Sequence, residues 1–149
     1  MPVQFKTGDM FQSKAQAICN AVNCVGVMGG GLAAVFKQKF PAMYKEYVNY
    51  CAQKKLRPGQ IHVFVDDSNK HIFNVATKDD WMADSEYAWV VEGLKNIAFE
   101  AKQLGVTSVA IPALGCGLGG LEWARVKKIV EEVAAEHWQS LDAEVYEPL

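Results

Sequence analysis

The sequence predicts an α/β fold, a three-layer α/β/α sandwich with a central mixed sheet. Short runs of β-branched and aromatic residues alternate along the chain with longer segments whose apolar residues recur at helical spacing. Such alternation places helices on both faces of a mainly parallel or mixed sheet. Two glycine-rich segments each follow a predicted strand directly. Ligands of open α/β sheets bind at the carboxyl ends of strands, so the same pattern predicts a binding site there.

Composition predicts a single domain that spans residues 1–149. The 149 residues are 50% hydrophobic and 21% charged, which is ordinary for a globular domain. The chain lacks the run of about 20 apolar residues that a membrane helix needs, and its N-terminus does not resemble a signal peptide. We therefore expect a cytoplasmic protein with no membrane association. A net charge of −2 argues against a general nucleic-acid binder.

Cysteine and histidine spacing predicts neither disulfides nor a metal site. The 4 cysteines form no C-x-x-C pair, and most lie in apolar or glycine-rich settings, which favours reduced thiols. The 3 histidines are scattered, and no Cys/His spacing indicates zinc. We expect no metal and no cofactor.

The first half of the chain predicts two strands and two helices. Val3–Lys6 and Ala17–Val22 are the predicted strands, and the second is a short apolar run that is expected to be buried. Gly29, Gly30 and Gly31 then open a helix over residues 32–39. Pro41 ends this helix and begins another at its first turn.

The second half predicts a strand pair followed by two further helix and strand units. The paired strands flank a polar turn, and the following helix has Asp84 or Ser85 as its N-cap and stops at Gly105. The predicted elements of this half are strands 60–65 and 71–76, a helix after residue 85, strand 108–111, helix 121–137 and strand 143–146.

Three loops that follow strands carry the candidate chemistry: residues 23–32, 77–81 and 112–120. The first and last are rich in glycine, and extended backbone N–H groups in such loops bind phosphates. The first also opens a helix, whose N-terminus attracts anions. Together the loops predict a pocket of pyrophosphate size, although the glycines of the first loop could simply allow a tight turn.

Two known nucleotide motifs fit poorly. The first loop satisfies the loose G-x-G-x-x-G/A pattern, but the acidic residue expected about 20 positions later is missing. No glycine is followed by Lys and then Ser or Thr, which excludes a P-loop.

Four motifs in order carry a resemblance to a known family. They are GDMF, AVNCVGVMGGGLA, NVATK and IPALGCGLGGLEW. In this order they resemble the macrodomain family, which binds ADP-ribose. The resemblance covers residues 3–144 and is closest to the branch of the DarG antitoxin macrodomain and the terminal ADP-ribose glycohydrolase class. It implies the macrodomain fold and an enzyme, an ADP-ribosyl glycohydrolase.

The resemblance also implies roles for individual residues. Asp9 with Met10 would read the adenine, although a turn or helix-cap aspartate is the structural alternative. Asn23 would lie near the distal ribose. The remaining residues implied to bind ADP-ribose belong to the three loops: Gly29, Gly30, Gly31, Leu32, Thr77, Pro112, Gly115, Cys116, Gly117, Leu118 and Gly119. Cys116 is expected to pack within its loop and not to act as a nucleophile, because no histidine is placed to activate it.

Lys78 is the implied catalytic residue. In the resembling branch a lysine at this T-K position is required to remove ADP-ribose, either by attack of its amine on the anomeric carbon or by stabilising the departing linkage. The structural alternative is an exposed loop lysine. The human relatives also carry an acidic residue in the second glycine loop, where this chain has Gly119 and Gly120. The general acid or base is thus left open between Asp79, Asp80 and Glu122.

The resemblance favours one function and leaves others open. ADP-ribosylated thymidine in DNA is the expected substrate, as in an antitoxin that reverses a toxin's modification. The alternatives are a hydrolase of glutamate-linked ADP-ribose on protein, an enzyme for small ADP-ribose derivatives, and a reader without turnover. The expected partners are ADP-ribose, ADP-ribosylated DNA and a DarT-like toxin, and the expected oligomeric state is a monomer.

Overall fold

A single mixed sheet forms the centre of the protein, whose structure, a computed structural model, describes residues 3–148. The strands within this range are β1 (Val3–Lys6), β2 (Ala17–Val22), β3 (Ile61–Val65), β4 (His71–Ala76), β5 (Ser108–Ile111) and β6 (Asp142–Tyr146). The helices are α1 (Gly31–Lys39), α2 (Pro41–Ala52), α3 (Tyr87–Leu104) and α4 (Trp123–His137), with a short 3-10 helix at Met10–Gln12.

The strand order places three loops at one edge of the sheet. The order is β1-β6-β5-β2-β4-β3, and every neighbouring pair is parallel except β3 and β4. The carboxyl ends of β5, β2 and β4, which are adjacent strands, therefore lie side by side. The loops that follow them begin next to one another. The predicted α/β fold with a mixed sheet is confirmed.

Two apolar cores lie on opposite faces of the sheet. Within β2, Ala17 and Cys19 face the core under α3 and α4, whereas Ile18 and Val22 face the core under α1, α2 and the 3-10 helix. This alternation follows from the two-residue period of a strand. Because β2 is covered on both faces, its sequence is apolar almost throughout, as is typical of a central parallel strand.

The helix boundaries differ from prediction at the second glycine loop. The predicted N-cap of α3 at Asp84 or Ser85 is wrong, because Glu86 occupies this position and its side chain makes no cap hydrogen bond. The Ser85 backbone N–H instead donates to the Gly119 carbonyl oxygen at 3.0 Å. This contact joins two loops that are far apart in sequence, and α3 consequently begins at Tyr87, later than predicted.

A row of buried polar side chains crosses three strands. Asn20 donates to the Asn74 Oδ1 at 3.1 Å, and the Asn74 Nδ2 lies 3.1 Å from the His62 Nδ1. The His62 Nε2 lies 2.9 Å from a carboxylate oxygen of Glu46 at the surface. Burial lowers the pKa of His62, while Glu46 opposes this shift. His62 is therefore a hydrogen-bonded structural histidine.

None of the helices in residues 3–148 is both long enough and apolar enough to cross a membrane. Cys19, Cys24, Cys51 and Cys116 are all free thiols.

Candidate functional site

A cavity of about 1070 Å³ opens at the carboxyl ends of β2, β4 and β5. Its walls come from the first glycine loop, the loop after β4 and the second glycine loop, as the positions of these loops after strands predict. The cavity volume lies just above the usual range for ligand pockets, about 300–1,000 Å³. The lining residues are Ala21, Val22, Asn23, Val27, Gly29, Gly30, Gly31, Leu32, Ala33, Thr77, Lys78, Trp81, Met82, Ala83, Asp84, Pro112, Ala113, Gly115, Cys116, Gly117, Leu118, Gly119 and Pro148.

The structure brings together most of the residues predicted for the site. Lys78 and the predicted residues of the three loops all line the cavity, but Asp9 and Met10 do not. The Asp9 carboxylate accepts a hydrogen bond from the Phe11 N–H at 2.9 Å and caps the 3-10 helix, and Met10 is buried. The structure thus shows a capping role for Asp9. The adenine-reading role of Asp9 and Met10 stays a prediction.

The Asn23 side chain folds the first glycine loop. Its Nδ2 donates to the Val27 carbonyl oxygen at 2.7 Å, and its Oδ1 accepts from the Val25 and Val27 N–H groups at 3.1 and 3.3 Å. The buried Tyr47 hydroxyl donates to the Asn23 carbonyl oxygen at 2.6 Å. Most of the hydrogen-bonding capacity of this amide is used inside the loop. Asn23 therefore gives the loop its shape.

The N-terminus of α1 presents free backbone donors to the cavity. Gly30 is the N-cap and offers no side chain, and Gly31 has a φ of +58°, which favours glycine. The first N–H groups of a helix have no intrahelical acceptors. Combined with the helix dipole, they favour an anion at this wall of the cavity.

The second glycine loop is held by its own backbone. The Leu121 N–H donates to the Gly115 carbonyl oxygen at 2.9 Å, and Gly115 has a φ of +78°. A methyl group at Gly119 would lie 2.5 Å from the same carbonyl oxygen and would also collide with the Ser85 Oγ. Glycine at this position therefore permits close packing that no other residue allows.

Cys116 in this loop has the properties of a packing residue. Its Sγ lies 3.6 Å from the Leu114 carbonyl oxygen, and burial raises the pKa of the Cys116 thiol to about 11. The thiol is protonated at neutral pH, which makes it a poor nucleophile.

The loop after β4 places Lys78 in the cavity wall. The Lys78 backbone N–H donates to the Val22 carbonyl oxygen at 3.3 Å, which ties the residue to the end of β2. Its half-buried side chain reaches the Trp81 carbonyl oxygen, 3.4 Å from Nζ. Trp81 and Met82 are 55% and 77% exposed and form an apolar rim above the lysine.

Sequence reasoning missed the far end of this loop. The sequence predicts a loop that ends at Trp81, but Met82, Ala83 and Asp84 also line the cavity because α3 begins only at Tyr87. Val90 is the first residue of α3 that is buried in the core, and its distance from Trp81 along the sequence could have indicated a longer loop.

The family can now be assigned. The Macro domain model matches residues 19–130, which is more than half of the chain. The chain belongs to the macrodomain family. The predicted resemblance and the macrodomain fold are confirmed.

This macrodomain is similar to proteins of the DarG branch. It is 38% identical over 150 residues to a protein of Thermus aquaticus named DNA ADP-ribosyl glycohydrolase, with 99% of this chain and 41% of that protein covered. The chain thus spans about two fifths of the length of that relative. The solved macrodomain of Mycobacterium tuberculosis DarG has a TM-score of 0.94 and 34% identity, covering 99% of this chain and 98% of that one. Thermosipho africanus DarTG, solved in complex with ADP-ribose, has a TM-score of 0.90 and 34% identity, covering 99% of this chain and 42% of that one.

Proposed function

We propose that this macrodomain binds ADP-ribose in the described cavity and removes it from modified macromolecules, principally from ADP-ribosylated thymidine in DNA. One observation carries the proposal: Lys78 lies in the wall of a cavity whose other walls are two glycine loops and a helix N-terminus. This combination provides donors for a pyrophosphate and an amine for chemistry at the sugar next to it.

Backbone groups would hold the pyrophosphate. The first turn of α1, with Gly30, Gly31 and Leu32, would contact one phosphate, and the second glycine loop from Gly115 to Gly119 would contact the diphosphate from the other side. The exposed carboxylate of Asp9 and the backbone of Met10 would read the adenine. Few polar side chains line the cavity. Backbone groups would therefore provide most of the polar contacts with the ligand, which supports this assignment.

Lys78 would act on the linkage between ADP-ribose and its carrier. The amine could attack the anomeric carbon, which needs the neutral form of the lysine, or the ammonium could stabilise the departing group. An anionic pyrophosphate in the cavity favours the ammonium form, which supports the second role.

The DNA substrate is supported by the relatives and by the rim. The Thermus aquaticus relative is named a DNA ADP-ribosyl glycohydrolase, and the exposed Trp81 offers a stacking surface for a base beside the cavity mouth. Glutamate-linked ADP-ribose on protein and small ADP-ribose derivatives are the alternative substrates, and a reader without turnover is the alternative class.

The proposal extends to partners and location. The Thermosipho africanus structure is of DarTG, and a fusion of a DNA ADP-ribosyl transferase with a DNA ADP-ribosyl glycohydrolase is also similar to this chain. A DarT-like toxin is therefore the proposed partner. We further propose one domain over residues 1–149, acting as a monomer in the cytoplasm, where the four free thiols would stay reduced.

Release of ADP-ribose from an ADP-ribosylated thymidine oligonucleotide tests the proposal. We expect wild type to release it and Lys78→Ala to retain affinity for free ADP-ribose but to lose release by roughly 10³-fold or more, as for an activated nucleophile or electrostatic group. Lys102→Ala, which removes an exposed lysine from the last turn of α3, is the matched control and should release normally.

Tight binding of ADP-ribose with no release by wild type would contradict the hydrolase and favour the reader. Release by Lys78→Ala at the wild-type rate would contradict the catalytic role of Lys78 but would not contradict the hydrolase.

A further inference from the structure

Charged side chains are scarce in the cavity wall. Among the lining residues in the described part of the chain, Lys78 and Asp84 are the charged ones. The carboxylates left open by the sequence, Asp79, Asp80 and Glu122, do not line the cavity. The Asp80 Oδ1 is also engaged, since it accepts from the Met82 N–H at 3.1 Å.

The second glycine loop holds Asp84 in place. The next residue, Ser85, donates its backbone N–H to the Gly119 carbonyl oxygen at 3.0 Å. The Asp84 Oδ1 lies 3.6 Å from the point where a Cβ at Gly120 would stand. This is an ordinary van der Waals distance, so the Asp84 carboxylate lies directly beside the second glycine loop.

The Asp84 carboxylate has hydrogen-bond acceptor sites that the described residues leave unused. Asp84 is exposed, and nothing in residues 3–148 donates a hydrogen bond to its carboxylate. The neighbouring Ser85 Oγ is buried and also has no hydrogen-bond partner in that range. A carboxylate with open acceptor sites, facing a cavity that already contains an amine, can hold a water molecule and take its proton.

We propose that Asp84 is the general base that works opposite Lys78. This inference rests on the proposed function. In the step, a water oxygen forms a bond to the anomeric carbon, and the bond from that carbon to the carrier breaks with its electron pair going to the carrier atom. The Asp84 carboxylate takes the proton of the water, and the Lys78 ammonium gives a proton to the carrier atom. Solvent then returns a proton from Asp84 to Lys78, so that free ADP-ribose and unmodified carrier leave.

Single-turnover release by Asp84→Asn tests this role. We expect the rate constant to fall by roughly 10²–10⁴-fold, the usual contribution of a general base, while affinity for free ADP-ribose is unchanged. The matched control is Glu86→Gln, which removes an exposed carboxylate two residues away that makes no cap hydrogen bond. It should release at the wild-type rate. Added formate should raise the rate of Asp84→Ala, because a small carboxylate can enter the space left by the side chain.

The outcomes separate this inference from the proposed function. Release by wild type together with full activity of Asp84→Asn would overturn the role of Asp84 and leave the hydrolase standing. Loss of ADP-ribose affinity in parallel with release, or no response of Asp84→Ala to formate, would also overturn it, because a purely structural role predicts these results. An inactive wild type would overturn the hydrolase and the role of Asp84 with it.

Discussion

The side chains around the cavity include two charged groups and an exposed apolar rim. Lys78 and Asp84 line the cavity, and Trp81, Met82 and Leu118 form the apolar rim, where they are 55%, 77% and 72% exposed. Large apolar side chains exposed this far and next to a ligand cavity usually contact something that binds there. Under the proposed function, that contact is with the part of the substrate beyond ADP-ribose.

Trp81→Ala should weaken binding of the modified oligonucleotide without weakening binding of free ADP-ribose. Stacking of a base on an aromatic side chain contributes about 1–3 kcal/mol, so we expect KM for the modified oligonucleotide to rise roughly 5- to 150-fold. The affinity for free ADP-ribose should change little, and Trp81→Phe should keep most of the effect. Steady-state release and calorimetric titration measure the two quantities. An equal loss for both ligands would instead assign Trp81 to the ADP-ribose site itself.

Residue roles were the least predictable part of the site. The resemblance placed Asn23 near the distal ribose, but its buried amide is hydrogen-bonded to Val25 and Val27 in its own loop and to the Tyr47 hydroxyl. Tyr47 becomes a neighbour of Asn23 only through folding. The sequence predicts Asp84 or Ser85 as a helix cap, because Asp and Ser are preferred at the N-cap position. The loop contact that moves the helix start to Tyr87 comes from Gly119, more than thirty residues away along the chain.

The elements themselves were largely predictable. The buried run at Ala17–Val22 and the strand pair at β3 and β4 follow from apolar content and turn residues, and Pro41 marks the start of α2 as expected. These signals are local, because each depends on residues adjacent in sequence. The differences occur at the starts of elements: α1 begins at Gly31 and α4 at Trp123, and β3 and β6 each begin one residue away from the prediction.

The second glycine loop leads to a prediction about stability. Gly119→Ala should lower the free energy of unfolding by roughly 1–3 kcal/mol, the usual cost of overpacking, because its methyl group would collide with Ser85 and with the Gly115 carbonyl oxygen. Gly117→Ala is the matched control, since a methyl group there would meet no heavy atom of the described residues within 4 Å. Urea denaturation of both variants measures the difference. Equal stability of the two would contradict the packing described for Gly119.

At the scale of the whole molecule, strand order decides which loops meet. The sequence predicted that three loops follow strands, but it did not predict that β5, β2 and β4 are neighbours in the sheet. Pairing between strands that are distant in sequence has no local sequence signal. The predicted site therefore depended on the general rule that ligands of α/β sheets bind at the carboxyl ends of the strands. The rule was sufficient here because all three of these strands are parallel.

The charge of the whole molecule predicts weak salt dependence. The net charge is −2, and Lys78 is the cation among the lining residues of the described chain, so few DNA phosphates can be neutralised. The logarithm of affinity for the modified oligonucleotide should fall with the logarithm of salt concentration with a slope no steeper than about −1 relative to free ADP-ribose. Titrations between low and moderate salt measure this slope. A slope steeper by several units would show that contacts with DNA phosphates provide much of the affinity, and it would contradict this prediction.

The buried row from Asn20 through Asn74 to His62 also restricts how the sheet can be assembled. These residues are directly paired, Asn20 with Asn74 across β2 and β4, and His62 with Asn74 across β3 and β4. A slip of β4 by one residue would turn the Asn74 amide toward the opposite core and remove its hydrogen bonds to Asn20 and to the His62 Nδ1. A buried polar atom that loses its hydrogen bond costs about 1–3 kcal/mol. The same slip would draw Lys78 away from the end of β2. The polar row therefore favours the correct register of β4 between β2 and β3. Because Lys78 follows β4 directly, the same register also fixes the position of Lys78 in the cavity wall.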